Sequence, residues 1–350
     1  MEFWIIGVMG PNNPLPQLSN NPAIHRSTNP SILLSKRFML RVLTYHRVAN
    51  LQDSPALHPQ IISATPKNFE KQMRLVAQKY QAVSMAQMLE AIAKKKSLPP
   101  RAVLITFDDA YYDFGVAWSI LRSLKLTATL FVPTAYPDHP ERAFWWDRLY
   151  RAMMNSSYRE LKLAPFGVLP LADAKMQAES LKRVQNHIKN ISHHDATALV
   201  NEVCEKLGSK PLVQKSVLSW KELRQLAKEG VTMCAHTQTH PIMTQLTPED
   251  LRREVVGAQD DLKREIGETL PIFCYPSGSH DDAVVKVLRE ESFTVAFTTM
   301  KGQNDLRTTD LLRLRRTNMT RRTSLPIFRA KLWRWGADVD RWRQKRKQKS

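Results

Sequence analysis

The chain has 350 residues and a formal charge of +19, from 52 Lys and Arg against 33 Asp and Glu. Its 43% hydrophobic content and length exclude a wholly disordered chain, and three cysteines exclude a disulfide scaffold. No run of eighteen apolar residues occurs, so no membrane-spanning helix is expected, and the excess cations predict affinity for anions without naming which.

Residues 1–38 read as an irregular tail, broken by Pro11, Pro14, Pro16 and Pro22. Residues 1–10 are apolar but lack a basic flank and a small-residue cleavage site. A cytoplasmic or peripheral-membrane location is therefore expected ahead of an extracytoplasmic one. The pattern changes at Leu40, where residues 40–45 (LRVLTY) predict a strand. Thr65-Pro66 opens a helix with Phe69, Met73 and Val76 on one face. Residues 83–84 predict a short strand and residues 85–96 a helix. The uninterrupted apolar run at 102–107 (AVLITF) predicts a strand buried on both faces. A helix over about 113–125 and a strand over 128–132 follow.

Residues 136–218 read as a mostly helical insertion with no strand signal. The alternation then resumes. Residues 219–229 predict a helix with a capping box of Ser219 and Glu222, and 231–235 a strand. A long helix opens at Thr247-Pro248 and stops at Gly267. Residues 272–275 predict a strand, 281–290 a helix and 294–298 a strand. Strands alternating with helices predict a parallel sheet with helices outside it, open or closed into a barrel.

Two constellations could do chemistry. Asp108 and Asp109 directly follow the 102–107 strand, and the carboxyl ends of parallel strands form the active face of such architectures. One carboxylate could bind a metal while the other acts as a base; the plain alternative is a strand-end turn. His236 and His240 follow the 231–235 strand at a spacing of i, i+4, which turns two imidazoles the same way. An Asp with two His leaves open positions on a zinc-like ion for water and substrate. The plain alternative is a pair of surface histidines before the Pro241 turn.

Thr106-Phe107-Asp108-Asp109 followed by His236-Thr237-Gln238-Thr239-His240-Pro241 resembles the first two motifs of the polysaccharide deacetylase (NodB-homology) family, carbohydrate esterase family 4. The segments around Leu43-Thr44-Tyr45-His46, Phe273-Cys274-Tyr275-Pro276 and Leu314-Arg315-Arg316 are similar to its poly-N-acetylglucosamine deacetylase-like branch. The resemblance implies a deformed (β/α)7 barrel with a helical insertion, occupying residues 39–330 as a catalytic domain. It implies metal-dependent N-deacetylation of acetylated sugars in a polysaccharide or glycoconjugate. Carried over by position, Asp109, His236 and His240 hold a divalent ion, zinc first, with Co, Ni or Mn as alternatives. Asp108 is the base toward the attacking water, His46 the acid toward the leaving amine, and the Ser277 backbone N–H the oxyanion donor.

Several positions depart from the family pattern. Ala110 stands where Gly usually follows the Asp pair, and Cys274 replaces the Arg that orients the base. Ser277 replaces an aromatic residue, and no final Leu-x-His motif is evident. Arg316 is the candidate to reach the base in place of the missing Arg. These departures leave a rival reading: a catalytically impaired module on the same fold that binds glycan or a membrane surface. Phe144-Trp145-Trp146-Asp147 reads as packing of the insertion onto the barrel, with a glycan-stacking surface as the second choice. His193-His194 reads as a solvated turn.

Residues 331–350 form a basic amphipathic segment, and an apolar stripe of Phe328, Leu332, Trp335, Val339 and Trp342 runs into it at helical steps. That stripe suits an anionic membrane surface or packing on the barrel equally. No nucleic-acid fold motif accompanies the charge, so no specific nucleic-acid partner is expected. The sequence does not determine the oligomeric state.

Overall fold

In the computed structural model residues 38–333 are described, apart from 54, 212 and 268. The expectations for the amino-terminal tail and for the amphipathic stripe beyond residue 333 lie outside the described residues. Among the described residues, seven parallel strands close into a ring: β1 (Met39–Tyr45), β2 (Ala102–Phe107), β3 (Thr129–Val132), β4 (Thr232–Ala235), β5 (Ile272–Cys274), β6 (Val295–Lys301) and β7 (Leu314–Asn318). Their order around the ring is their order in the chain. β1 pairs with β2 at Tyr45↔Phe107 and with β7 at Leu43↔Thr317, which seals the seam. The β6–β7 pairing slips between Phe297 and Lys301, so the (β/α)7 barrel is deformed there.

Helices α1 (Pro66–Lys79) and α2 (Met85–Ala93) lie between β1 and β2, and α3 (Phe114–Ser123) lies between β2 and β3. The long β3–β4 connection holds α4 (Trp145–Met154), α5 (Ala174–Ile188), α6 (His193–Lys206) and α7 (Trp220–Lys228). Then α8 (Pro248–Ile266) follows β4, α9 (Asp282–Glu290) follows β5, and α10 (Leu325–Leu332) follows β7. Local chemistry sets their ends. Thr65 and Thr247 accept a backbone N–H at the starts of α1 and α8, and Ser219 and Glu222 form a reciprocal capping box. Gly267 ends α8 at φ +94°, a conformation that favours glycine.

Strand parity divides the core. Leu43, Tyr45, Ile105, Phe107, Leu130 and Val132 join the layer shared with the outer helices. The alternate residues, among them Val42, Leu104, Phe131, Cys274, Phe297 and Leu314, form a second cluster that fills the barrel. Burying both faces explains why AVLITF reads as unbroken apolar sequence.

The β3–β4 connection differs from expectation. It contains a β-hairpin, Glu160–Leu163 paired antiparallel with Gly167–Pro170. Leu161 and Leu163 are buried between exposed Glu160 and Lys162, a period-two signal only four residues long and masked by the helical polarity around it. The hairpin, α4, α5 and α6 share a hydrophobic cluster of their own. The short strand expected at 83–84 sits at Gln81–Ala82 instead. Ser84 is committed to capping α2, although the Val83 N–H still bonds the Val103 carbonyl. No described helix is long and apolar enough to cross a membrane. Phe328 and Leu332, the first two members of the carboxyl-terminal stripe, are buried against the barrel.

Candidate active site

Parity places Asp108. Leu104, Thr106 and Asp108 alternate along β2 and its end, so Asp108 continues the row that faces the barrel interior. On β7, Leu314 and Arg316 do the same. The two meet as a bidentate pair: Arg316 Nη1 donates to Asp108 Oδ1 at 2.8 Å and Nη2 to Oδ2 at 2.7 Å. Nε of Arg316 donates to the Thr298 carbonyl at 2.8 Å, and the guanidinium lies over the Phe131 ring. All three nitrogens of this fully buried cation therefore donate a hydrogen bond. Burial pushes the Asp108 carboxyl up, but Arg316 overrides it and holds the group below its ordinary value. Cys274 puts Sγ 3.8 Å from Asp108 Oδ2.

The turn after β2 is tight. Asp109 and Ala110 both take left-handed backbone, at φ 73° and 50°. A methyl group at Ala110 therefore does not prevent positive φ, at a strain of about 1 kcal/mol. The turn aims Asp109 away from Arg316 and toward the histidines. Its Oδ1 lies 3.4 Å from His236 Nε2 and 3.3 Å from His240 Nε2. That oxygen is buried and has no hydrogen-bond partner, which a metal ion would supply.

His236 is oriented for such a role. Its Nδ1 lies 2.7 Å from the Cys274 carbonyl, which accepts the ring proton and leaves Nε2 facing Asp109. Burial pushes the Asp109 carboxyl up, and the two imidazoles pull it well below the carboxylate range. A second group, Asp108, His236 and Cys274, also has metal-ligand spacing. Both oxygens of Asp108 are taken by Arg316, so Asp109, His236 and His240 fit a divalent ion better.

His46 follows β1, with Nε2 4.0 Å from both Asp108 Oδ2 and Asp109 Oδ2. Ser277 follows β5 in left-handed backbone at φ 55°. His46, Asp108, Asp109, His236, His240 and Ser277 all line one cavity of about 210 Å³ at the carboxyl ends of the strands. Arg316 lies beneath that wall, bonded to Asp108. The structure thus brings together the residues singled out in the sequence.

A sequence profile described as polysaccharide deacetylase matches residues 95–296, more than half of the chain. The chain belongs to the polysaccharide deacetylase family. The matched span contains Asp108, Asp109, His236, His240 and Ser277; His46 and Arg316 lie outside it. No curated protein matches the chain. Among solved structures, the Streptococcus pyogenes deacetylase PplD in complex with acetate is similar at TM-score 0.57 and 18% identity, covering 84% of this chain and 98% of that one. IcaB from Ammonifex degensii has TM-score 0.54 and 17% identity, covering 84% and 97%. The BpsB deacetylase domain from Bordetella bronchiseptica has TM-score 0.51 and 17% identity, covering 81% and 96%. These likenesses are of fold.

The cavity of this family member includes groups not singled out as site residues from the sequence. Trp146 lines it and sets its ring edge-on to His240, with centroids 4.9 Å apart. Its Nε1 donates to the Tyr111 hydroxyl at 2.8 Å, and that hydroxyl donates to Asp147 Oδ2 at 2.8 Å. The His58 backbone N–H donates to Asp147 Oδ1. Phe144 is fully buried and Trp146 nearly so, as packing requires, whereas Trp145 is half-buried and lines the cavity. The polar chain behind them left no sequence signal, because its members lie 36 and 89 residues apart. His194 is exposed as expected, whereas His193 turns toward a second cavity.

Burial pushes the Asp147 carboxyl up to about 7, against the two hydrogen bonds that pull it down. An aspartate in the unfolded chain titrates near 4. The contribution of Asp147 to stability is therefore complete below about pH 4 and lost as pH rises through about 7. Asp147→Asn should flatten that dependence by about 4 kcal/mol between pH 4 and pH 8. Urea midpoints of the metal-free protein across that range check this; an unaltered slope would refute it.

Proposed function

We propose that the protein hydrolyses the N-acetyl amide of an amino sugar in a polysaccharide or glycoconjugate, using a divalent ion, zinc first, held by Asp109, His236 and His240. The observation that carries this reading is the orphaned Asp109 Oδ1 facing two imidazole nitrogens beside an ionised Asp108. A divalent ion there would activate a water and polarise the acyl oxygen.

The protein's own groups do the rest. Asp108 accepts the proton of the attacking water, and Arg316 fixes the orientation of its carboxylate. The amide carbon becomes tetrahedral, and the backbone N–H of Ser277, on the cavity wall, donates to the developing oxyanion. The amine leaves with a proton from His46, which reaches the same space from the β1 end. Acetate and the free amine are the products, and the solved neighbour PplD is itself a complex with acetate. Arg316 supplies the cation that Cys274 does not, which supports catalysis over the binding-only reading.

The purified protein should hold about one divalent ion per chain by elemental analysis. Acetate release from N-acetylglucosamine oligomers should disappear on chelation and return with zinc or cobalt. Undiminished release from the chelated protein would overturn this mechanism.

A further inference from the structure

We infer that the sugar processed here carries an anionic group, and that a second cavity walled by the β3–β4 connection holds it. This inference rests on the deacetylase reading and adds the substrate's charge to it. The second cavity, of about 170 Å³, shares Trp145 and His240 with the catalytic cavity, so the two are neighbours across those side chains. Arg142, Arg148 and His193 line it.

Some arginines elsewhere on this surface meet carboxylates. Arg74, Arg122, Arg224 and Arg252 each have one within 3.0 Å. Among the described residues, neither Arg142 nor Arg148 has one. Arg142 rests over the Tyr136 ring at 5.0 Å, and Arg148 Nη2 donates to the neutral Asn201 side chain at 2.7 Å. On the same helix as Arg148, Nε and Nη1 of Arg151 are buried without partners. Burial lowers the Arg151 pKa, and the Arg148 charge adds to that effect.

Lys189, on the rim of the catalytic cavity, also has no carboxylate neighbour among the described residues. Its carbonyl accepts from Gln245 Nε2, which ties the two cavity walls together. Of the carboxylates nearest the acetyl position, Asp108 is paired with Arg316 and Asp109 faces the two histidines. The wall thus presents uncompensated cations beside the reaction site. A neutral N-acetylglucosamine chain has no use for them, whereas a phosphate or carboxylate on or next to the acetylated sugar would take bidentate hydrogen bonds from the arginines.

Two measurements on the full chain test this. In the first, inorganic pyrophosphate is titrated calorimetrically into metal-free protein. The double variant Arg142→Gln/Arg148→Gln should weaken its binding at least tenfold, and Arg142→Gln alone, at an exposed position, should weaken it without affecting folding. Equal affinity in wild type and variants, or no binding by wild type, overturns the proposal.

In the second, metal-loaded protein is given a chitooligosaccharide, a nucleotide-diphosphate N-acetylglucosamine and a glucuronate-containing N-acetylglucosamine tetrasaccharide. The ratio of kcat/KM for the better anionic substrate over the neutral one should exceed ten and fall at least tenfold in the double variant. The preferred arm distinguishes phosphate from carboxylate. If no sugar releases acetate yet pyrophosphate binding depends on the arginines, the anion site stands and the deacetylase reading fails. If all three release acetate at a ratio the variant does not change, the anion site fails and the deacetylase reading stands.

Discussion

Asp108→Asn is expected to slow acetate release by roughly 10²–10⁴-fold per folded, metal-loaded molecule, the usual range for losing a positioned base. The amide keeps the shape of the carboxylate but neither its charge nor its capacity to accept a proton. It also leaves the fully buried Arg316 without a counter-ion, so the variant should lose about 3–5 kcal/mol of stability. Rates are therefore compared well below its melting temperature, with zinc content measured in parallel. A variant that retains metal and wild-type rate would remove Asp108 from the mechanism. In the wild type, Arg316 keeps Asp108 ionised to below the ordinary carboxylate range. Acid loss of activity through Asp108 should therefore begin only below about pH 4.

Arg316→Met reverses that balance. With the guanidinium gone, burial acts on Asp108 against only the weaker pull of His236 and His46, and its pKa should rise. The proposed mechanism needs the carboxylate, so the acid limb of kcat/KM should move up toward neutral pH and activity should recover as pH rises. The stability profile also changes sign. In the wild type the depressed pKa makes the pair stabilising above about pH 4, and that stability is lost as pH falls through the folded value. In the variant the raised pKa makes stability greatest in acid and lost as pH rises. At neutral pH the loss should be about 3–5 kcal/mol. An unmoved acid limb would show that Arg316 only packs. Arg316→Lys, which keeps the charge but not the fork, should retain most of the wild-type pH profile at a lower rate.

The barrel was legible because its strands are buried on both faces and read as short apolar runs between capped helices. AVLITF ends in the Asp pair, and Thr65, Ser219 and Thr247 mark helix starts through their side-chain oxygens. Asp109, His236 and His240 were legible because each follows a recognisable strand or keeps a ligand spacing. The position of Arg316 follows from its parity with Leu314 on β7, but its bond to Asp108 depends on which strands close the ring, and local sequence does not encode that. The hairpin at 160–170 was missed because four residues of alternation are outweighed by surrounding helical polarity. The Tyr111–Asp147 chain and the unpaired Arg142 and Arg148 were invisible for a related reason. Their meaning lies in what surrounds them in space, and a basic chain offers many identical-looking arginines.

The carboxylate of Asp108 and the guanidinium that neutralises it are 208 residues apart, and the strand carrying Arg316 is the one that seals the ring. At about 5–20 residues per second of synthesis, the acid emerges roughly 10–40 s before its partner. Throughout that interval an unfinished barrel must leave Asp108 in water or bury a lone charge, and water is the cheaper choice. The buried Asp108–Arg316 pair can therefore form only once β7 has been made. A chain interrupted before β7 would lack the cation that holds Asp108 ionised.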